Sequence, residues 1–359
     1  MSSQEQGDLT QTVANHYNQL QETGLEIRKQ SRIFFLRNFN NWTKSVVIGE
    51  TLQQLRQEDR NRPLTVLDLC SGKGGDLLKW KKGNIDKLVC VDIAGTSVEQ
   101  CESRYREMKS RGRGGRGGYD DKVFDAEFLV ADCTKARLKE MYKDPSMQFD
   151  LVSCQFSFHY SFESYPQAFT MMKNAAECLR PGGYFMGTTP NAYELVRRLQ
   201  ESPDNSFGND VYRVSFDEKD LSNMPLFGAR YNFHLEEVVD CPEFLVYFPL
   251  LEKLATEFGL ELVRKTRFDD FFQEFSDKRE YKTLLNRMKA LEPYPADGDK
   301  ELVGLPDSDY THAAEFLQSQ NQPDSSQEGR QPRRVGTMSK AEWDATTIYL
   351  VFVFRKKKE

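Results

Sequence analysis

The segment Val66-Leu67-Asp68-Leu69-Cys70-Ser71-Gly72-Lys73-Gly74-Gly75-Asp76 constrains the fold more than any other stretch of the chain. A short apolar run, Thr65–Cys70, delivers the backbone into a glycine-rich turn, and a helix start reads directly after it, over Gly75–Lys82. Glycine suits this place because the backbone must turn tightly while a ligand lies against it. A phosphate-cradling loop needs Lys followed by Ser or Thr at the helix start, and Lys73 is followed by Gly74. A dinucleotide fingerprint needs a third glycine three residues after the second, and that position is Leu77. Neither nucleotide phosphates nor NAD fit.

The remaining pattern, an acid followed by x-x-x-Gly-x-Gly, is similar to that of S-adenosylmethionine enzymes, whose ligand has no pyrophosphate. Spacing supports it. A second apolar run, Lys87–Asp92, ends in an acid twenty residues after Gly72. A carboxylate there can accept both ribose hydroxyls. Asp132, after a third apolar run over Ala126–Ala131, fits a group facing the adenine edge. Asp92 taken alone also reads as a surface acid ending a strand.

Helical spacing over Ser97–Lys109 and Tyr165–Leu179 alternates with these runs and with Phe149–Cys154, before Pro181-Gly182-Gly183 leads into a strand through Gly187. Alternation of this kind predicts an α/β fold with a parallel sheet covered on both faces. Leu260–Lys265 and Thr347–Phe354 are β-prone and complete the sheet as a terminal antiparallel hairpin. Residues 10–60 read as two helices, the second over Lys44–Gln57, with Asn40, Asn41 and Trp42 interrupting the pattern. Asn205–Val239 reads as an insert at the sheet's C-terminal side, followed by a helix from about Glu243 to Phe258. Arg111–Gly118 is low-complexity and reads as a flexible loop, as does the polar stretch Gln318–Arg334. The expected organisation is a helical segment over residues 1–60 covering the site and a main α/β domain over 61–359. Within it lie a substrate insert at about 191–250 and a flexible segment at about 296–340.

Composition narrows the partners. The net charge of −6 over 359 residues argues against extended tracking along phosphates, so any nucleic-acid contact should be local. No run approaches the length of a membrane span, and Met1–Thr10 lacks a secretory pattern. Seven cysteines without a CxxC pair read as buried free thiols.

Further segments narrow the class. Phe39-Asn40-Asn41-Trp42-Thr43-Lys44, Leu77-Leu78-Lys79-Trp80, Cys154-Gln155-Phe156-Ser157-Phe158-His159-Tyr160, Gly187-Thr188-Thr189-Pro190-Asn191, Pro242–Pro249 and Ala290–Pro295 together resemble the eukaryotic mRNA cap guanine-N7 methyltransferases. The resemblance runs from about His16 to Phe354, with the RGRGGRGG loop outside the family pattern. It implies a Rossmann-like class I fold with a seven-stranded, mostly parallel sheet. It implies S-adenosylmethionine as cofactor and the capped 5′ end of mRNA (GpppN) as substrate. It also implies a nuclear location, a monomeric catalytic unit, and a small activating protein and the transcription machinery as partners. Residue by residue, it assigns Lys44, Cys70, Gly72, Asp92, Asp132, Gln155 and Tyr160 to the cofactor. Cys70 stands at the family's first loop glycine. Asn40, Asn41, Lys73, His159, Glu243 and Tyr349 match positions on the substrate side.

Guanine N7 carries a free lone pair, so its attack on a sulfonium methyl needs neither a general base nor a metal, only proximity and orientation. Glu243 would accept hydrogen bonds from the guanine N1 and N2 edge, Tyr349 or Phe156 would form a wall, and Lys73 with Arg37 would meet the triphosphate. Each residue also has a plainer reading. His159 suits a satisfied core histidine, Glu243 a helix first turn, Tyr349 strand packing, Asn40 and Asn41 helix caps, and Arg111, Arg113 and Arg116 a solvated loop. Two other functions fit the alternating core: a methyltransferase for another RNA or a small molecule, and a non-catalytic scaffold that binds cofactor and cap.

Overall fold

The computed structural model describes residues 12–16, 18, 30–112, 123–218, 220, 222–298, 300–320 and 333–358. Arg113 and Arg116 of the low-complexity loop, and most of the polar stretch 318–334, lie outside the described residues.

The apolar runs form strands β1 (Thr65–Leu69), β2 (Lys87–Asp92), β3 (Asp125–Val130), β4 (Phe149–Gln155) and β5 (Leu179–Pro190). Between them lie helices α2 (Leu77–Lys82), α3 (Gly95–Gly112) and α4 (Tyr165–Ala176), so Arg111 belongs to a helix end. β1, β2 and β3 are parallel in that order, and β4 and β5 extend the sheet from the other side of β1. The chain therefore reverses its direction of travel across the sheet between β1 and β4. Open α/β sheets hold ligands at such a point, beyond the carboxyl ends of the strands.

Alternation along each strand sends side chains to two cores. Leu67, Leu69, Val89, Val91 and Val152 pack on one face with Met171, Met172 and Phe352. Val66, Leu88, Cys90 and Leu151 pack on the other, beneath the long helix α1 (Phe34–Glu58). Strands buried on both faces read as continuous apolar runs, which is why they were legible.

The sheet ends in β13 (Tyr349–Lys356), antiparallel to both β5 and β10 (Leu260–Arg267), giving the order β10-β13-β5-β4-β1-β2-β3. The expected terminal pair forms, but it is not a simple hairpin. Between its strands run α7 (Phe268–Phe275), α8 (Arg279–Met288), β11 (Glu292–Tyr294), α9 (Thr311–Gln320), β12 (Val335–Thr337) and α10 (Lys340–Thr346). The segment expected to be flexible at 296–340 thus carries a helix and a strand in its described part. Tyr310 ties it down, accepting the Gly304 N–H at 2.9 Å and donating to Glu292.

Two expectations are corrected. α1 runs unbroken through Asn40 and Asn41. The Asn41 amide donates to the Arg37 carbonyl four residues earlier, and Asn40 accepts from Thr346 Oγ1, so both side chains are satisfied without opening the helix. Glu243 lies in a strand, not a helix. The insert is an antiparallel sheet of β6 (Ser206–Gly208), β7 (Tyr212–Ser215), β8 (Arg230–Leu235) and β9 (Val239–Phe244), following α5 (Ala192–Glu201). Glu243 pairs with Tyr231 across β8 and β9. The helix α6 (Phe248–Glu257) starts after Tyr247, with the second proline, Pro249, in its first turn.

Candidate functional site

The glycine loop is held by three residues in the left-handed region: Cys70 (φ 54°), Gly72 (φ 52°) and Gly74 (φ 75°). At Gly74 a side chain is excluded twice over, by the dihedral and by Cys101 Sγ and a Leu77 methyl 2.7 Å from where a Cβ would stand. Cys70 adopts the glycine-like conformation despite its side chain, at a cost of order 1 kcal/mol.

Asp92 pins this loop. Its Oδ2 accepts the Gly72 N–H at 2.8 Å and its Oδ1 accepts the Ala94 N–H at 2.9 Å. Each oxygen keeps a further lone pair for the cavity it borders. Burial, with Cys70 beside it, raises the Asp92 carboxyl to about 6 against the pull of those backbone donors. Beneath the loop, Asp68 accepts from Trp80 Nε1 at 3.0 Å, and burial pushes its carboxyl up to about 8.

The cavity measures about 290 Å³, the scale of a small-molecule site. Lys44, Cys70, Gly72, Asp92, Asp132, Gln155 and Tyr160, the seven residues expected at the cofactor, all border it. Ile93, Ala131, Phe156, Met171 and Phe244 supply apolar wall. Three acceptors on the wall are buried without a hydrogen bond: Gln155 Oε1, Asp132 Oδ2 and Glu163 Oε1. The other Gln155 atom, Nε2, donates to Ser153 Oγ at 3.0 Å, and the other Asp132 oxygen takes both the N–H and the hydroxyl of Thr134. Lys135 Nζ stands 3.5 Å from Asp132 Oδ2, too poorly aligned for a hydrogen bond. Unpaired buried acceptors call for a ligand rich in donors. An adenosine bearing an amino acid, with its adenine amine, ribose hydroxyls and ammonium, has that chemistry, and the apolar walls suit the flat base. The residues present fit S-adenosylmethionine.

At the mouth, Lys44 Nζ lies 2.9 Å from Asp76 Oδ1, and Lys79 Nζ reaches the same oxygen at 2.6 Å. Burial alone would raise the Asp76 carboxyl, but the two ammonium groups outweigh it and hold it at about 2. Lys79 also donates to Asn41 Oδ1 at 3.2 Å, which joins α1 to the glycine loop.

The residues expected on the substrate side fall into two groups. His159 and Glu243 meet at 3.2 Å, both buried, and Tyr231 donates to the second Glu243 oxygen at 2.7 Å. The His159–Glu243 contact is misaligned, so neither ring nitrogen of His159 has a hydrogen-bond partner. The His159 ring packs on Tyr160, centroids 4.4 Å apart, which links this cluster to the cavity. Tyr349 packs edge-on against Phe156 at 5.0 Å, and Phe268 closes an aromatic triad at 5.9 Å from Phe156 and 5.7 Å from Tyr349. Phe156 itself sits at φ 57°, where a bulky residue is a genuine outlier. Its N–H is held at 3.1 Å from the Thr188 carbonyl and 2.9 Å from the Thr188 hydroxyl. Asn40 is occupied with Thr346, and Lys73 does not border the cavity; its carbonyl accepts from Arg104.

Tyr231, Phe268, Asp76 and Lys79 were missed as site residues. Asp76 and Lys79 lay within quoted motifs but carried no role. Phe268 has no local signal, because only the fold brings it to Phe156.

The sequence profile of the mRNA (guanine-N(7))-methyltransferase domain matches residues 1–357. The mRNA cap guanine-N(7) methyltransferase of Drosophila melanogaster is 49% identical over 355 residues, covering 97% of this chain and 78% of that protein. The enzyme of that name from Caenorhabditis elegans is 41% identical, covering 96% of this chain and 87% of that one. A rice relative, mRNA cap guanine-N(7) methyltransferase 1 of Oryza sativa subsp. japonica, is 38% identical, covering 96% and 81%. A solved S-adenosylmethionine-dependent methyltransferase from Clostridium acetobutylicum aligns over 89% of this chain and 92% of its own, at 11% identity and a TM-score of 0.44. With a profile match across the chain and relatives this close from animals and a plant, the chain belongs to the mRNA (guanine-N(7))-methyltransferase family.

Proposed function

We infer that the protein transfers a methyl group from S-adenosylmethionine to N7 of the guanine cap of mRNA. The observation that carries this reading is the meeting of seven cavity residues with the His159–Glu243–Tyr231 cluster through Tyr160, in a chain of this family. Bound in the cavity, S-adenosylmethionine supplies an electrophilic methyl on its sulfonium. Asp92 takes the ribose hydroxyls and ties their position to the glycine loop and to α3. Asp132 and Gln155 offer their unpaired oxygens to the ligand's amines.

On the substrate side, Glu243 accepts from the guanine N1 and N2 edge. Tyr231 fixes the orientation of that carboxylate, and His159 presents a ring nitrogen beside it. As N7 gains the methyl, the ring becomes cationic, and a fixed carboxylate favours it. Phe156, Phe268 and Tyr349 form a dry wall next to the reacting atoms. Nuclear action, and work as a monomeric unit alongside a small activating protein and the transcription machinery, belong to the same reading and rest on family membership.

Purified protein incubated with labelled cofactor should methylate GpppG ends and leave triphosphate-ended RNA unmethylated. Label in uncapped RNA, or none in capped RNA, overturns the reading. Asp92→Ala removes two backbone anchors and the ribose acceptors, and should lower kcat/KM at least 100-fold, since hydrogen bonds to a buried charge contribute about 1.5–3 kcal/mol each.

A further inference from the structure

Of the three unpaired acceptors on the cavity wall, Gln155 Oε1 stands at the end of β4 and Asp132 Oδ2 just after β3. The third, Glu163 Oε1, comes from the turn Phe158–Glu163 that leads into α4. Glu163 is 7% exposed and borders the cavity. Its other oxygen, Oε2, accepts from Gln167 Nε2 at 2.7 Å, and Gln167 Oε1 accepts from the Ser164 hydroxyl at 2.5 Å. Ser164 caps α4, so the helix start itself fixes this carboxylate, with one oxygen committed to the fold and the other left over. α4 in turn is docked on the loop after β3. Asn174 donates to the Cys133 and Ala136 carbonyls, both at 2.8 Å, and accepts the Leu138 N–H at 3.0 Å. Gln167, Met171 and Asn174 share one face of the helix at spacings of four and three. The face that grips the β3 loop through Asn174 therefore brings Gln167 and Met171 to the end of the cavity that Asp132 and Thr134 line. Two buried carboxylates close that end, each with one unpaired oxygen. Burial raises the Glu163 carboxyl and the nearby Asp132 carboxylate adds to the effect, so a ligand donor placed there offsets both.

We propose that Glu163 is a specificity-determining residue of the cofactor site: its free oxygen takes one hydrogen of the adenine amine while Asp132 takes the other, so that the site selects a 6-aminopurine. This rests on the reading of that cavity as the S-adenosylmethionine site. Asp92, the ribose acceptor, stands at the end of β2, and β3 is the neighbouring strand, so a base attached to that ribose lies toward Asp132 and Glu163. The two hydrogens of an exocyclic amine lie in the ring plane and point apart. A single carboxylate serves one of them well, and two carboxylates held on separate elements serve both. Met171 and Phe244 border the same cavity and supply apolar contact for the ring. A purine that lacks the amine leaves both oxygens buried and unpaired, which is the costly outcome for a charged acceptor.

The test is calorimetry with S-adenosylhomocysteine and with its 6-deamino analogue, in which hydrogen replaces the amine and the ring nitrogens are unchanged. The wild-type protein should prefer S-adenosylhomocysteine by about 30-fold or more. Glu163→Met keeps the length of the side chain and removes the acceptor. It should cut that preference at least fivefold, by weakening S-adenosylhomocysteine while the analogue binds as well as before. A preference unchanged in Glu163→Met, or equal weakening of both ligands, overturns the proposal, because a side chain that merely supports α4 affects the two alike. A measurement on the wild-type protein stands whether or not that variant folds. With the amine nitrogen of S-adenosylhomocysteine labelled, its two protons should give separate resonances protected from exchange with water. One averaged, rapidly exchanging resonance overturns the proposal. A wild-type protein that binds neither ligand overturns the cofactor reading instead.

Discussion

At the scale of the residue, Asp92 shows how one side chain pins a loop while bordering a cavity. Its carboxyl is raised from 3.8 to about 6, so the folded state binds a proton that the unfolded chain has already lost. The stability this contributes is fully present below about pH 4 and is lost as pH rises through about 6. A shift of about two units corresponds to roughly 3 kcal/mol. Ligand affinity runs the other way, because a protonated carboxyl offers fewer acceptor sites. S-adenosylhomocysteine titrations should weaken as pH falls below about 6, and Asp92→Asn should flatten both the ligand profile and the pH dependence of urea unfolding. The residues around Asp92 were legible because strand ends and loop spacing place them: a strand ending in an acid delivers that acid to the rim. Tyr231 was not legible, since its role appears only when the register of β8 and β9 sets it opposite Glu243.

At the scale of the element, α1 is more than a cover. Trp42 is fully buried, donates to the Tyr281 carbonyl at 3.0 Å, and packs against Phe39, Phe271 and Phe272. From the same helix Lys44 reaches Asp76 at the cavity mouth. Removing the indole should destabilise the protein by about 3–5 kcal/mol, read as a drop in the urea midpoint for Trp42→Ala. It should also weaken cofactor binding, because the helix that carries Lys44 loses its anchor. The sequence suggested a break at Asn40–Asn41 because asparagine competes with helix backbone for hydrogen bonds. The structure gives those amides other partners, one four residues back and one on α10. Glu243 was misplaced for a related reason. Two prolines flank the stretch, and only the register across the insert sheet shows that Pro249, not Pro242, sits in the first turn of the helix.

At the scale of the whole molecule, the net charge of −6 bears on how RNA is met. Few phosphates should be neutralised, so binding should respond weakly to salt and to RNA length. KM for a capped dinucleotide and for a capped 30-mer should differ by no more than about threefold, and a plot of log affinity against log salt should have a slope shallower than about −3. A steep slope would mean that an extended basic track contributes. The α/β architecture was legible as a whole because parallel strands announce themselves as apolar runs, four of the five being largely buried and the edge strand β3 only partly so. The position of β13 was not, since nothing local to Tyr349–Lys356 says that it enters between β5 and β10.

That insertion bears on how the protein is made. A chain emerging from the ribosome in order presents β10 long before β13, and β10 has no neighbour in the sheet until β13 arrives. During that interval β5 is an open edge, and Phe185 and Phe248 lack the Phe352 and Phe354 rings that later pack on them. The nascent protein therefore passes through a state with an unpaired strand edge and exposed aromatic surface, the kind of state that chaperones hold. Sheet closure is a late, single event in synthesis, and substitutions in β13 should show themselves first as lost soluble yield.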